Sequence, residues 1–316
     1  MVTKIPILYI VVPCYNEELV IRGSAEQLRN KIEALINQKK IATESRILFV
    51  DDGSKDNTYQ IMTELHKENS LYSVIKLSRN CGQQNAYMAG LSVAYKTADV
   101  TITIDVDLQD DINAIDKMLA EYMNGAEIVY GVRSSRKKDT LFKRMTAHAF
   151  YKLMIKMGVE VIYDHSEFRL LSKTALRALF EYQESNLFVR GIVPQLGFKT
   201  AKVASPRGKR QAGTTKYSPA KLLSVALEGI ASFSTKPLSI IFWLGFLLNI
   251  LGSTGFITTL TLMYTINLHF MWPLLSAMAW LTGIILLALG IIGFYLGKTY
   301  IETKHRPRYF IEETLD

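Results

Sequence analysis

Asp105 and Asp107 stand two residues apart at the end of a β-branched run, Val100-Thr101-Ile102-Thr103-Ile104. Such a run predicts a buried strand that stops abruptly in acid. In extended chain, residues i and i+2 point the same way, so both carboxylates can aim at one point beyond the strand's carboxyl end. A hard cation such as Mg²⁺ is held by one or two carboxylates together with substrate phosphates, which suggests a nucleotide diphosphate site. A turn and a helix cap would use the same residues equally well. Asp111, directly before the helical pattern over 112–123, fits a cap better than a ligand.

These carboxylates need elements to aim them, and the chain supplies an alternation of strands and helices. The run 7–12 is continuously apolar and stops at Pro13; a helix follows with Leu19, Ile21, Leu28, Ile32, Leu35 and Ile36 at helical spacing. A second strand over 47–50 ends in Asp51-Asp52-Gly53-Ser54-Lys55-Asp56. The third, 73–77, is followed by Ser78-Arg79-Asn80-Cys81-Gly82 and a helix through Ala86, Ala89, Leu91 and Ala94. With the strand at 100–104, four strands end in polar loops at one expected sheet edge, linked by right-handed crossovers. A fifth, 127–132, leads to Arg133 and a basic loop. The fold class is therefore α/β, with a cleft outlined by carboxylates, amides and glycines.

The 316-residue chain has room for more than one such domain. Residues 237–297 contain no Lys, Arg, Asp or Glu, although the whole chain is 21% charged. That length fits two membrane crossings, 238–264 and 272–296, joined by a short loop. Lys209, Arg210, Lys216, Lys221 and Lys236 precede the first, Lys298, Lys304, Arg306 and Arg308 follow the second, and the loop holds only His269. Both ends are expected on the cytoplasmic side of the cell membrane. No secretory signal is read, since 7–12 is too short for one. The two cysteines, Cys14 and Cys81, are expected to be reduced and to act as small buried hydrophobes. The formal charge of +8 gathers next to the crossings, so it argues for a membrane surface and against nucleic acid. Residues 218–234 carry Leu222, Leu223, Val225, Leu227 and Ile230 opposite Lys221 and Glu228, as an interfacial helix or one packed on the soluble domain would. The expected organisation is a cytosolic domain over 1–217, a juxtamembrane helix over 218–236, a transmembrane hairpin over 237–297 and a cytosolic tail over 298–316.

Several blocks together resemble family 2 glycosyltransferases with the GT-A fold: Val12-Pro13-Cys14-Tyr15-Asn16-Glu17-Glu18, Asp51-Asp52-Gly53-Ser54-Lys55-Asp56, Arg79-Asn80-Cys81-Gly82 and Asp105-Val106-Asp107-Leu108-Gln109-Asp110. Within that family the chain is similar to the polyprenyl-phosphate type, the bactoprenol glucosyltransferases related to dolichyl-phosphate mannose synthases. Later blocks agree. Asp164-His165-Ser166-Glu167-Phe168-Arg169-Leu170 is similar to a segment whose aspartate the family places at the reaction centre. Glu184-Ser185-Asn186-Leu187-Phe188-Val189-Arg190-Gly191 keeps the family's glutamate, phenylalanine, arginine and glycine, with Ser185 where relatives have arginine. Asp111-Ile112 also departs, where many relatives have proline.

The resemblance implies transfer of a sugar from a nucleotide diphosphate donor, UDP-glucose first, to a polyprenyl phosphate such as undecaprenyl phosphate. Pro13, Tyr15, Asn16, Glu17, Asp52, Gly53, Asn80, Gly82 and Val106 would hold the donor. Mg²⁺ or Mn²⁺ would sit on Asp105 and Asp107, with Gln109. Arg133 and the glycine-containing loop with Arg207, Lys209, Arg210 and Lys216 would neutralise diphosphate charge. Asp164 is assigned to the reaction centre as base or orienting group, and Arg169 either binds the acceptor phosphate or pairs with a nearby carboxylate. A homo-oligomer, a tetramer by family resemblance, is implied too. UDP-galactose, a UDP-N-acetylhexosamine or GDP-mannose are alternative donors. A processive polysaccharide synthase would have its acceptor-site tryptophan in the cytosolic domain, yet all three tryptophans lie beyond residue 240. A non-catalytic membrane scaffold is the reading from another class.

Overall fold

The computed structural model describes residues 4–133, 165–183, 189–206 and 271–316, with the isolated positions 243, 247 and 254. In chain order the elements are β1 (Leu8–Cys14), α1 (Ile21–Asn37), β2 (Arg46–Asp51), α2 (Thr58–Glu68), β3 (Tyr72–Leu77), α3 (Gln83–Thr97), β4 (Val100–Thr103), α4 (Ala114–Met123), β5 (Ile128–Arg133) and β6 (His165–Ser172). They continue with α5 (Lys173–Phe180), α6 (Val189–Gln195), β7 (Thr200–Ser205), α7 (Met271–Thr303) and β8 (Ile311–Leu315). The strands form one mixed sheet in the order β7-β5-β6-β4-β1-β2-β3-β8. Within it β4, β1, β2 and β3 are parallel neighbours, while β6 and β8 run antiparallel to the strands they flank.

Both faces of the sheet are covered. Ile10, Val12, Phe49 and Val74 pack on one side with Ile21, Leu28 and Ile32 of α1. Val11, Leu48, Val50 and Ile75 meet Ala86, Ala89 and Ala94 of α3 on the other. The small residues of α3 let it lie close. A Cβ on Gly90 would come within 2.4 Å of Val11 Cγ1 and 2.8 Å of Val50 Cγ2.

Pro13 was expected to end the first strand, but β1 runs one residue further and pairs Pro13 with Val50. Val11 O accepts from Ile104 N on the β4 side, so Pro13, two residues on, faces that side as well. The last β1–β4 pair is Val11 with Thr103, so the missing N–H of Pro13 costs no ladder bond there. Leu19, counted with the first helix, is 82% exposed and precedes α1. Cys14 is buried as expected; Cys81 is only partly so.

The segment expected as a tail over 298–316 is structured. Its first residues extend α7, and β8 pairs antiparallel with β3, Val74 opposite Leu315 and Lys76 opposite Glu313. Lys76 Nζ lies 3.0 Å from Glu312 Oε1, Tyr59 Oη donates to Glu313 Oε2 at 2.6 Å, and Tyr309 Oη donates to Met88 O at 3.4 Å. A strand this acidic makes a poor template for further pairing, as suits the sheet's edge.

Among the described residues no helix is long and apolar enough to cross a membrane, so the two expected crossings gain no support there. The first crossing, 238–264, and the juxtamembrane helix at 218–236 lie outside the described residues, apart from positions 243, 247 and 254. The second falls on the backbone of α7, one helix of 33 residues whose side chains are described only in part. Leu274, Met278, Leu281, Ile285, Leu289 and Ile292 of this helix are all exposed.

One ion cluster between α1 and α4 gives a stability prediction. Lys31 and Lys40 both pair with Asp116, which is 31% exposed. Partial burial opposes ionisation of Asp116, but hydrogen bonds and charge from the two lysines outweigh it and hold its carboxyl below the usual range. A depressed carboxyl contributes stability above its unfolded pKa and loses it as pH falls through the folded value. Asp116→Asn should therefore cost about 0.5–1 kcal/mol at pH 7 and nothing at the acid end of a denaturation series, below both values.

Candidate active site

The parallel block β4-β1-β2-β3 brings the carboxyl ends of four strands to one edge of the sheet. Connections from β1 through β2 to β3 run one way, and β4 lies on the other side of β1. The chain thus reverses direction between β1 and β4, which is where open α/β sheets bind ligands. Four loops meet there: 13–17, 52–57, 78–82 and 105–110.

Two of these loops clasp each other. Asn16, at φ 52°, donates from its backbone to Ser54 Oγ at 3.0 Å, and its Oδ1 accepts from Lys55 N at 2.8 Å. Glu17 N donates to Thr58 Oγ1 at 2.8 Å, and Glu18 Oε2 accepts from Asn57 N at 3.1 Å. Asp52 then fastens the third loop, accepting from Cys81 N at 2.7 Å and Gly82 N at 3.0 Å. Burial pushes the Asp52 carboxyl up, against the two amides that favour its charged form. Gly53 makes the crossing possible, with φ 67° and a hypothetical Cβ 2.6 Å from both Arg79 C and Asn80 N. Asn80 is exposed on the loop, and Gly82, at φ 88°, directly precedes α3.

The fourth loop carries the acids. Asp105 Oδ1 accepts from Tyr87 Oη at 2.8 Å and from Gln83 Nε2 at 2.6 Å. Its carboxyl is pushed up to about 6, first by burial and then by the charges of Asp107, Glu167 and Asp110, with the Tyr87 bond opposing. The Tyr87 phenol is raised well above its usual range, mainly by burial, so it stays a donor. Leu108, at φ 43°, turns the chain so that Gln109 Nε2 reaches Asp107 Oδ2 at 2.6 Å. Val106 is buried beneath the loop, where its carbonyl accepts from Ser24 Oγ. Asp111 Oδ1 accepts from Asn113 N at 2.9 Å and so caps the turn before α4, which begins at Ala114.

Among the described residues, no group of three or more His, Cys, Asp or Glu could hold a metal ion. A cation completed by diphosphate oxygens needs fewer protein ligands. Asp105, Asp107 and Asp110 bring clustered negative charge to a site that burial makes costly, and a divalent cation would relieve that cost. The chemistry of these groups is compatible with a hard cation, of which Asp105, Asp107 and the Gln109 amide oxygen would be the protein ligands.

Of the residues singled out from sequence, Pro13, Tyr15, Asn16, Glu17, Asp52, Gly53, Asn80, Gly82, Asp105, Val106, Asp107 and Gln109 come together at this edge. Arg133 ends β5, whose carboxyl end faces the same way. Arg169 does not open on the cleft. It is 1% exposed, its guanidinium pairs with Glu167 Oε2, and its Nη1 lies 3.5 Å from Val189 O. Of the two roles weighed for it, the described geometry matches the carboxylate partner. Asp164, Arg207, Lys209, Arg210 and Lys216 lie outside the described residues. Sequence reasoning missed Gln83 and Tyr87, whose spacing of four at the start of α3 puts both on one helical face, and it missed Glu167 and Arg190 as partners.

Residues 9–180 match the model of the family described as Glycosyl transferase family 2. The chain belongs to that family. An uncharacterized glycosyltransferase of Bacillus subtilis, YkoT, is 46% identical over 308 residues, covering 97% of this chain and 91% of its own. The bactoprenol glucosyl transferase of Shigella phage SfV is 37% identical over 309 residues, 96% of this chain and 97% of its own. The resemblance to the bactoprenol glucosyl transferase type is thus near full length, and the mixed sheet is that of an α/β GT-A-like glycosyltransferase. A solved structure, glucosyl-3-phosphoglycerate synthase from Mycobacterium tuberculosis with phosphoglyceric acid, aligns at a TM-score of 0.43 and 14% identity over 72% of this chain and 79% of its own.

Proposed function

We propose that this family 2 glycosyltransferase moves a hexose, glucose from UDP-glucose first, onto a polyprenyl phosphate such as undecaprenyl phosphate at the cytoplasmic face of the cell membrane. The observation that carries the reading is the meeting of Asp52, the 78–82 loop and the Asp105/Asp107 pair at one sheet edge, in a chain aligned end to end with a bactoprenol glucosyl transferase. The clasped loops 13–17 and 52–57 form a floor for a nucleoside. Asp105 and Asp107, with Gln109, would hold Mg²⁺ or Mn²⁺, which when bound supplies charge for the departing diphosphate. Arg133 and the basic loop with Arg207, Lys209, Arg210 and Lys216 would add to that charge.

A phosphate monoester has a second pKa of about 6 and is already mostly a dianion at pH 7, so it attacks the anomeric carbon without first losing a proton. Asp164 would then orient the acceptor. A single displacement inverts the anomeric centre, turning an α-linked donor into a β-linked lipid phosphosugar. The proposal places the second crossing on helix α7. Its row of large apolar side chains on the outside would be costly in water. With 238–264 as the other crossing, both ends of the chain stay cytoplasmic, and copies assemble through these helices as a homo-oligomer.

The test is transfer of radiolabel from a panel of nucleotide sugars to undecaprenyl phosphate in detergent, with Mg²⁺, Mn²⁺ or chelator. Metal-dependent lipid labelling from UDP-glucose is expected; labelling from UDP-galactose, a UDP-N-acetylhexosamine or GDP-mannose alone would reassign the donor. No labelled lipid from any donor, with folded protein, would sink the transferase proposal and leave a scaffold.

A further inference from the structure

Three consecutive residues near the C-terminus each grip a different part of the fold. Arg308 Nη2 donates to Tyr182 O at 2.6 Å, just past α5. Tyr309 Oη lies 3.2 Å from Ser92 Oγ and 3.4 Å from Met88 O, both on α3. Phe310 O accepts at 3.1 Å from the backbone N–H of Ser78, the first residue beyond β3. Ser78 opens the 78–82 loop, and α3 begins where that loop ends. The C-terminal segment is therefore fastened to the chain on both sides of the loop.

Strand β8 is shaped to deliver the contact. It pairs Lys76 with Glu313 but Leu77 with Ile311, so Glu312 is an extra residue opposite the end of β3. A bulge of this kind bends the strand that carries it and re-aims the chain beside it. Within the loop Ser78, Arg79 and Asn80 are exposed, while Cys81 N and Gly82 N are held by the Asp52 carboxylate. The Phe310 carbonyl and the Asp52 carboxylate thus pin the loop at its two ends.

Tyr309 governs where the Phe310 carbonyl lies. Two soft dihedrals separate that carbonyl from the peptide plane that ends Tyr309, so anchoring the Tyr309 ring limits where it can go. The anchor is itself fixed, because Ser92 Oγ donates to Ala89 O at 2.7 Å and is left to accept from the phenol.

We infer that residues 308–310 form a clip that holds the 78–82 loop in its nucleotide-binding shape, with Tyr309 as the positioning residue acting through the Phe310 carbonyl. The binding part of this statement rests on the proposed reading of the sheet edge as a nucleotide site; the holding part does not.

Full-length Tyr309→Phe, Ser92→Ala and the double variant would be compared with the unaltered chain in detergent. Tyr59→Phe is the control, since it removes the Glu313 bond elsewhere on the same strand. Two quantities are read: the Kd for UDP with Mg²⁺ by calorimetry, and amide hydrogen exchange over 78–82 relative to β1 and β2. Tyr309→Phe should raise the Kd by about 2- to 10-fold, the loss expected of one neutral hydrogen bond, and speed exchange over 78–82 by a similar factor. Strands β1 and β2 should keep their protection, since the opening is local. Ser92→Ala should act in the same direction, and the double variant should add little to the larger single effect. If Tyr309→Phe leaves either readout within about 1.5-fold of the unaltered chain, below the loss of one hydrogen bond, the inference fails. It fails equally if Tyr59→Phe moves both readouts as far, because general loosening of β8 would then explain the effect. Should the unaltered chain bind no UDP, the nucleotide reading of the edge falls, and exchange over 78–82 alone then decides whether the clip holds the loop.

Discussion

Asp107→Asn should remove metal-dependent transfer, lowering kcat by about 10²–10³-fold, while leaving the protein as heat-stable as before. The substitution keeps size and an acceptor oxygen, so Gln109 N can retain its 3.4 Å contact with residue 107. What is lost is the second acceptor oxygen, which takes the Gln109 Nε2 bond, and one negative charge from a set in which Asp105 and Asp110 already stand close together. Without a cation that loss relieves repulsion, so the melting temperature of the metal-free protein should hold or rise. The two readouts therefore move independently. The comparison is Asp105→Asn, where the amide oxygen still accepts from Tyr87 and Gln83. A matching fall in kcat for both, with an unfolding transition that no longer responds to added Mn²⁺, would place the ion on the pair. Activity within about threefold of the unaltered chain would remove Asp107 from the metal site.

The second large effect belongs to Gly53→Ala. At φ 67° a side chain is strained, and the new methyl would sit 2.6 Å from two backbone atoms of the neighbouring loop. Backbone cannot step aside as a flexible side chain would. The 79–82 loop must move outward, pulling Cys81 N and Gly82 N away from Asp52 and leaving its carboxylate buried without its two amide donors. Strain and the broken bonds together should cost about 2–4 kcal/mol. Thermal unfolding should fall by about 5–15 °C. Nucleotide affinity should fall with it, because the same loop forms a wall of the cleft. A Gly53→Ala protein that melts within a degree or two of the unaltered chain would mean that the two loops are not locked together.

Most of the site was legible because period and punctuation agreed. Four apolar runs each broke off into carboxylates, amides or glycine, and a parallel sheet has only one edge at which such ends can meet. Asp105 and Asp107 were picked out by their spacing, which a turn and a helix cap would use equally well, and the neighbouring blocks favoured a site. What escaped was whatever depends on contacts distant in sequence. Gln83 and Tyr87 looked like ordinary helix residues until α3 was laid against β4. Arg169 could be weighed between a phosphate and a carboxylate, and nothing local in the sequence chose Glu167, two residues back on the same face of β6. Strand β8 escaped for another reason: Ile311-Glu312-Glu313-Thr314-Leu315 has two glutamates in five residues, weak strand formers, and it is held by β3 and by Lys76 and Tyr59.

That strand also bears on how the protein is made. Lys76 and its partner Glu312 are 236 residues apart in sequence. At ribosomal speeds of about 5–20 residues per second, β3 emerges roughly 10–50 seconds before the segment that will cover it. Throughout that interval the nascent sheet has an open edge on which a neighbouring chain could pair. Only once residues 311–315 have emerged can β8 seal it. Chains halted before residue 311 should therefore be aggregation-prone, detectable by pulse labelling as insoluble material that already contains β1 to β4.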